Sequence, residues 1–207
     1  TMDPSTLLPA PPPTGRRTAE RPPAPPDDGA VARRLTWGAL ALFAVLRTVV
    51  VAVATVPKVT PDEVGSWAVA RFLAGGDPAI LMQDMPRYSL VPGAVLTPLA
   101  ALPLGPVARY RLALVLLSVL TVGAAALVRA TVRRLDVGGP LAPPLAFAVT
   151  LLFPATVATG AFTWAEPTVL LCLAALAWGA VRAVADRSAA ALVVGSVAAG
   201  LAPSTHD

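Results

Sequence analysis

The amino-acid sequence predicts an all-α membrane protein, with about five transmembrane helices and one or two interfacial helices in its first extracytoplasmic loop. Three observations carry this prediction. Hydrophobic residues make up 56% of the 207 and charged ones only 14%, against about 25% charge in a typical soluble domain. Mean hydropathy is +0.69, and the apolar runs recur at lengths near the roughly 20 residues that cross a hydrocarbon layer. No stretch is left over for a separate soluble catalytic domain.

Residues 1–34 carry Pro4, Pro9, Pro11 to Pro13, Pro22, Pro23, Pro25 and Pro26 among Arg, Asp and Gly. With little that is apolar to bury, this segment is expected to be a disordered, cytoplasmic tail. The first apolar run begins only after residue 34 and is long enough to stay as a span, so it does not read as a signal peptide.

The first span is expected over 35–56, entered by Arg33-Arg34 and ended by Pro57-Lys58. Its unusual member is Arg47. Twelve residues into the run, it lies about 18 Å along a helix, near mid-bilayer, where insertion costs roughly 2.5–3.5 kcal/mol. It either marks a functional site or snorkels or pairs with a carboxylate for structural reasons.

An external loop follows over 57–106. Within it, Thr60, Pro61 and Glu63 form a helix-start signal, a capping box with proline at the first helical position, and Gly75-Gly76 supplies the stop. A surface helix is therefore expected over 61–74. Val64, Trp67, Ala68 and Phe72 fall on one face at helical spacing and predict that it lies along the membrane surface. Asp77, Asp84, Arg87 and Tyr88 then lead into Ser89 to Leu104, where Pro92, Pro98 and Pro103 argue for an interfacial or re-entrant segment. Further spans are expected over 107–130, 141–162 with Pro154 as a kink, 168–184 and 189–203, the last small-residue-rich and packed through Ala and Gly.

Net charge is +4 and the isoelectric point about 10.2, yet the arginines cluster at span ends, which argues for membrane orientation and against nucleic acid. With the N-terminus cytoplasmic, ten arginines lie inside, and five bases, Lys58, Arg71, Arg87, Arg109 and Arg111, lie outside. This topology places Asp62, Glu63, Asp77, Asp84 and Glu166 on the extracytoplasmic side. Cys172 is the single cysteine, so the chain contains neither an internal disulfide nor a cysteine-based zinc site. The abundance of Arg, Ala, Val and Pro beside one lysine suggests a GC-rich bacterial genome, hence the bacterial plasma membrane.

The internal Arg of the first span, P-D-E-V-G-S-W-A-V-A-R-F-L-A-G-G, Y-S-L-V-P-G-A-V-L-T-P-L-A, R-Y-R-L-A-L-V-L-L-S-V-L-T-V and F-P-A-T-V-A-T-G-A-F-T-W-A-E-P together resemble the N-terminal part of the GT-C superfamily of polytopic glycosyltransferases. Protein mannosyltransferases and lipid A aminoarabinose transferases belong to it. The resemblance covers about residues 35–203, and its most specific piece is the acidic pair. It implies sugar transfer from a polyprenyl-phosphate donor to a glycan, lipid or protein acceptor at the outer membrane face. It places an essential acid at Asp62, as general base or acceptor orienter. Glu63 would support it or bind a divalent cation, and Glu166 would be a second-loop acid. Lys58, Arg71, Arg87, Arg109 and Tyr88 are candidates for binding the donor phosphate. Members of the superfamily carry more spans, so a truncated and inactive fragment is one expectation.

Structural roles compete with these. Glu63 completes a capping box worth about 1 kcal/mol, and Thr163 with Glu166 repeats that spacing before the fourth span. Asp62 has the least structural excuse. Trp67, Phe72 and Trp164 read as interfacial anchors, and His206 as an incidental terminal residue. The alternative function is a non-enzymatic polytopic membrane subunit or transporter-like fragment, held together by ion pairs between Arg47 and the acids.

Overall fold

A computed structural model describes residues 28–55, 61–81 and 90–202, apart from the side chains of Pro61, Asp62 and Ile80. Every regular element among them is helical. In chain order these are α1 (Asp28–Val53), α2 (Pro61–Leu73), a 3₁₀ turn (Pro78–Leu81), α3 (Leu90–Ala101), α4 (Pro106–Leu135), α5 (Ala142–Leu152), α6 (Pro154–Thr159), α7 (Glu166–Ala185) and α8 (Ala189–Leu201). Three helices, α1, α4 and α7, are long and apolar enough to cross a membrane.

The helices form a row in which α1 packs on α5, α5 on α4, α4 on α7 and α7 on α8. The α2–α3 pair joins the row at the start of α4, where Ala70, Leu96 and Ala113 share a small buried cluster. A larger cluster of Ala39, Phe43, Ala125, Phe147 and Leu151 fastens α1, α4 and α5 together. Away from these contacts Val45, Val49, Val119, Val149, Val193 and Val197 are exposed. So many bare β-branched side chains suit a lipid surround better than water.

Four local expectations need correction. Helix α1 begins at Asp28, so the tail does not extend to residue 34; Asp28 complements the helix dipole and the Ala-Val-Ala-Arg-Arg run favours a helix. The third span is not one kinked helix. Phe153, at φ −57° and ψ 129°, separates α5 from α6, because Pro154 cannot donate to the helix and disfavours helical backbone in the residue before it.

The covered side of helix α2 is broader than the expected stripe. Glu63, Ser66, Ala68, Val69 and Ala70 are buried, Val64 and Trp67 are half-buried, and Phe72 is exposed. The partner explains the difference: α3 comes so close at Gly93 that an added Cβ would overlap the Val69 side chain and lie 3.1 Å from the Ser66 carbonyl oxygen. Close packing against α3 thus sets how much of α2 is covered. Finally, the fourth span begins earlier than expected, at Glu166, and is capped by Ala165 without a side-chain bond; no Thr163–Glu166 capping box forms.

Arg47 is buried at 6% exposure. Its Nε donates to Ser118 Oγ at 2.6 Å and its Nη2 to the Leu114 carbonyl at 3.3 Å. Its guanidinium also lies over the Phe43 ring at 6.0 Å. Among the described residues no carboxylate pairs with it, and the ion pairs found there join Asp186 to Arg134 and Arg182. The guanidinium presses against the turn after α6, where a Cβ on Gly160 would collide with it. Gly160→Ala should therefore lower stability by about 1–3 kcal/mol. In an Arg47→Ala background the same substitution should cost much less, and a thermal-unfolding double-mutant cycle measures the coupling.

Candidate functional site

The site is built around Glu63, in the first turn of α2. Its carboxyl is fully buried, and one oxygen collects three donors from two distant segments. Tyr110, in the second turn of α4, donates its hydroxyl to Oε1 at 2.9 Å. Thr163, in the turn between α6 and α7, donates its backbone N–H at 2.7 Å and its hydroxyl at 3.0 Å to the same atom. The Thr163 hydroxyl in turn accepts from Trp67 Nε1 at 3.2 Å, and Phe162 stacks on Trp164 with centroids 4.4 Å apart.

A carboxyl clamped through one oxygen has a fixed orientation, and its second oxygen is presented in a defined direction. Glu63 Oε2 is buried and has no hydrogen-bond partner among the described residues; the same is true of Glu166 Oε2 and Thr168 Oγ1 in the first turn of α7. An unmet buried polar group costs about 1–3 kcal/mol, and a fold retains it where something else will use it. Two such carboxyl oxygens belong to segments that the Glu63–Thr163 bonds tie together. They can accept a hydroxyl, a water or a proton. Among the described residues no three His, Cys, Asp or Glu side chains gather as they would to hold a metal.

The other expected residues fall differently. Asp62 lies in the same turn of α2 as Glu63, with its side chain outside the described residues. Lys58, Arg87 and Tyr88 also lie outside them, as do Asp84 and Thr60. Arg71 is exposed in the last turn of α2. Arg109 is occupied: its Nη2 donates to the carbonyls of Leu102 at 2.9 Å and Leu104 at 3.0 Å, closing the α3–α4 connection. Arg111 caps α1 by donating to the Ala52 and Ala54 carbonyls, both at 2.9 Å.

Tyr110 and Thr163 were not among the expected site residues. Tyr110 stands between two arginines where an apolar run begins, a position that also suits an interfacial anchor. Thr163 was read as half of a capping box. The available signal was the presence of polar groups at the edges of two different apolar runs, and that signal does not say which carboxyl they meet.

Compared with protein-family models, with curated proteins and with solved structures, the chain finds no match. Fold and site together define an all-helical protein with three candidate membrane spans and a clamped, buried carboxyl beside the start of α4. The clamp makes different demands on different substitutions. Glu63→Ala strands three donors and should cost more than about 3 kcal/mol, whereas Glu63→Gln keeps the Oε1 acceptor and should cost far less. Tyr110→Phe should lie between them, at about 1–2 kcal/mol. Thermal unfolding of the four proteins in detergent gives the order.

Proposed function

We propose that the chain, alone or as part of a longer protein, is a membrane glycosyltransferase that moves a sugar from a polyprenyl-phosphate donor to an acceptor hydroxyl at the extracytoplasmic face. The observation that carries this reading is the meeting of two acidic segments, through Glu63 and Thr163, at the end of α4 remote from Arg129, Arg133 and Arg134. Helix α4 has 30 residues, so its ends are about 45 Å apart. If the arginine-rich end is cytoplasmic, as the distribution of basic residues favours, the acids face outward.

In this reading Asp62 accepts the proton of the acceptor hydroxyl as its oxygen attacks the anomeric carbon. The bond from that carbon to the donor phosphate breaks, its electron pair stays with the phosphate oxygen, and the configuration inverts. Glu63 is a positioning residue: its clamp fixes the turn of α2 that carries Asp62. Glu166 is the second acid, and Lys58, Arg71 and Arg87 are the cations for the departing phosphate. Arg109, committed to two carbonyls, is the weakest candidate for that role.

The rival reading, a non-enzymatic subunit held by ion pairs between Arg47 and the acids, is weakened by the partners Arg47 has, a serine and a carbonyl. Release of polyprenyl phosphate from a panel of polyprenyl-phosphate sugars, measured in proteoliposomes, tests the proposal. Asp62→Asn should lower the rate about 10²–10⁴-fold with an unchanged melting temperature. Full activity in that variant, or none with any donor both from this chain and from a longer protein that contains it, rejects the assignment.

A further inference from the structure

Helix α1 leans mainly on α5 and more lightly on α4, which leaves a groove between α1 and α4. A cavity of about 500 Å³ occupies it, walled by Leu40, Phe43, Val51, Val115, Val119 and Val122 among others, with Arg47, Ser118 and Arg111 on its border. Leu40 also lines a second cavity of about 470 Å³, together with Arg33, Trp37 and Arg129. Arg129 and Ala32 are shared with a third, of about 430 Å³, that includes Arg133 and Asp136. An apolar groove thus leads, through shared walls, to a pair of clefts bearing three arginines and one acid.

Those three arginines differ from most others described. Arg134 and Arg182 are paired with Asp186, Arg109 and Arg111 are bonded to carbonyls, and Arg47 to Ser118. Arg33, Arg129 and Arg133 have no hydrogen-bond or ionic partner among the described residues. Trp37, beside them, is 64% exposed, the position of an aromatic side chain at a membrane–water boundary.

We propose that this gap binds one anionic phospholipid, with its phosphate among Arg33, Arg129 and Arg133 and an acyl chain along the α1–α4 groove. Charge complementarity chooses the occupant. Basic pockets between helices at a membrane boundary suit acidic headgroups, and the apolar groove beyond accepts a chain that neither a free anion nor an acidic peptide has. Of the arginines on the groove, Arg111 is bonded to the carbonyls of α1 and Arg47 to Ser118 and Leu114, with only its buried Nη1 unmet, so the phosphate belongs at the other end, where three arginines are unbonded. This inference does not depend on the transferase reading.

Native mass spectrometry of the detergent-solubilised protein, titrated with dioleoylphosphatidylglycerol or dioleoylphosphatidylcholine, provides the test. One phosphatidylglycerol should bind in clear preference to phosphatidylcholine. Arg33→Gln and Arg129→Gln should each weaken it about fivefold, Val119→Trp should block the chain, and Arg187→Gln, outside the clefts, should change nothing. Because Arg33 is exposed, its variant decides the matter even if Arg129→Gln does not fold. Equal binding of the two lipids, an unchanged preference in Arg33→Gln, or stabilisation by inorganic phosphate equal to that by phosphatidylglycerol would overturn the proposal.

Discussion

One oxygen atom of Glu63 joins parts of the chain that the helix row alone does not connect. The α2–α3 pair touches α4 through a small cluster around Ala70, Leu96 and Ala113, which is little apolar area for orienting two helices. The hydroxyl of Tyr110 and both donors of Thr163 supply the direction that this packing lacks. Because all three converge on Oε1, a shift of α2 along its axis breaks them together. Trp67, donating to the same threonine from one turn further on, resists rotation of the helix. A polar contact inside a low-dielectric surround has this all-or-none character, since each loosened donor would stand unpaired.

Arg47 solves a related problem with poorer means. A buried guanidinium has five donors to place, and here a serine and a carbonyl of α4 take two of them. The break at Pro154 contributes to the solution. Had α5 continued as a straight helix, there would be no turn at Gly160 to lie against the guanidinium, and a residue with a Cβ at that place would exclude it. Chain interruption and buried charge, which look like separate irregularities in the sequence, are one packing arrangement in three dimensions.

Most of the helices could be read from the sequence because each is announced locally. Pro106, Pro143 and Pro167 sit at or near helix starts, the Gly138-Gly139 pair follows α4, and the apolar runs set the lengths. Partners were less legible. That Arg47 would meet Ser118, or Glu63 would meet Thr163, depends on which helices neighbour one another, and apolar periodicity is the same for any neighbour. The T-x-x-E spacing at Thr163 shows how a valid local rule loses to a tertiary one: the hydroxyl has one proton to donate, and a buried carboxyl a hundred positions away takes it in preference to the start of α7. That acidic residues would gather at one end of the bundle was foreseeable from the sequence; the clamp that orders them was not.

The contact between α7 and α8 bears on how the protein is assembled. At Gly179 a Cβ would lie 2.7 Å from the Ala191 carbonyl oxygen and 2.8 Å from Gly195 Cα, so the two backbones touch with no side chain between them. Helix α8 has 13 residues, about 20 Å of helix, too short to traverse a hydrocarbon layer of about 30 Å by itself. If α7 crosses a membrane, α8 accompanies it folded back as a helical hairpin. The turn through Asp186 and the left-handed Arg187, at φ 49°, is then the piece of the chain whose geometry sets that hairpin.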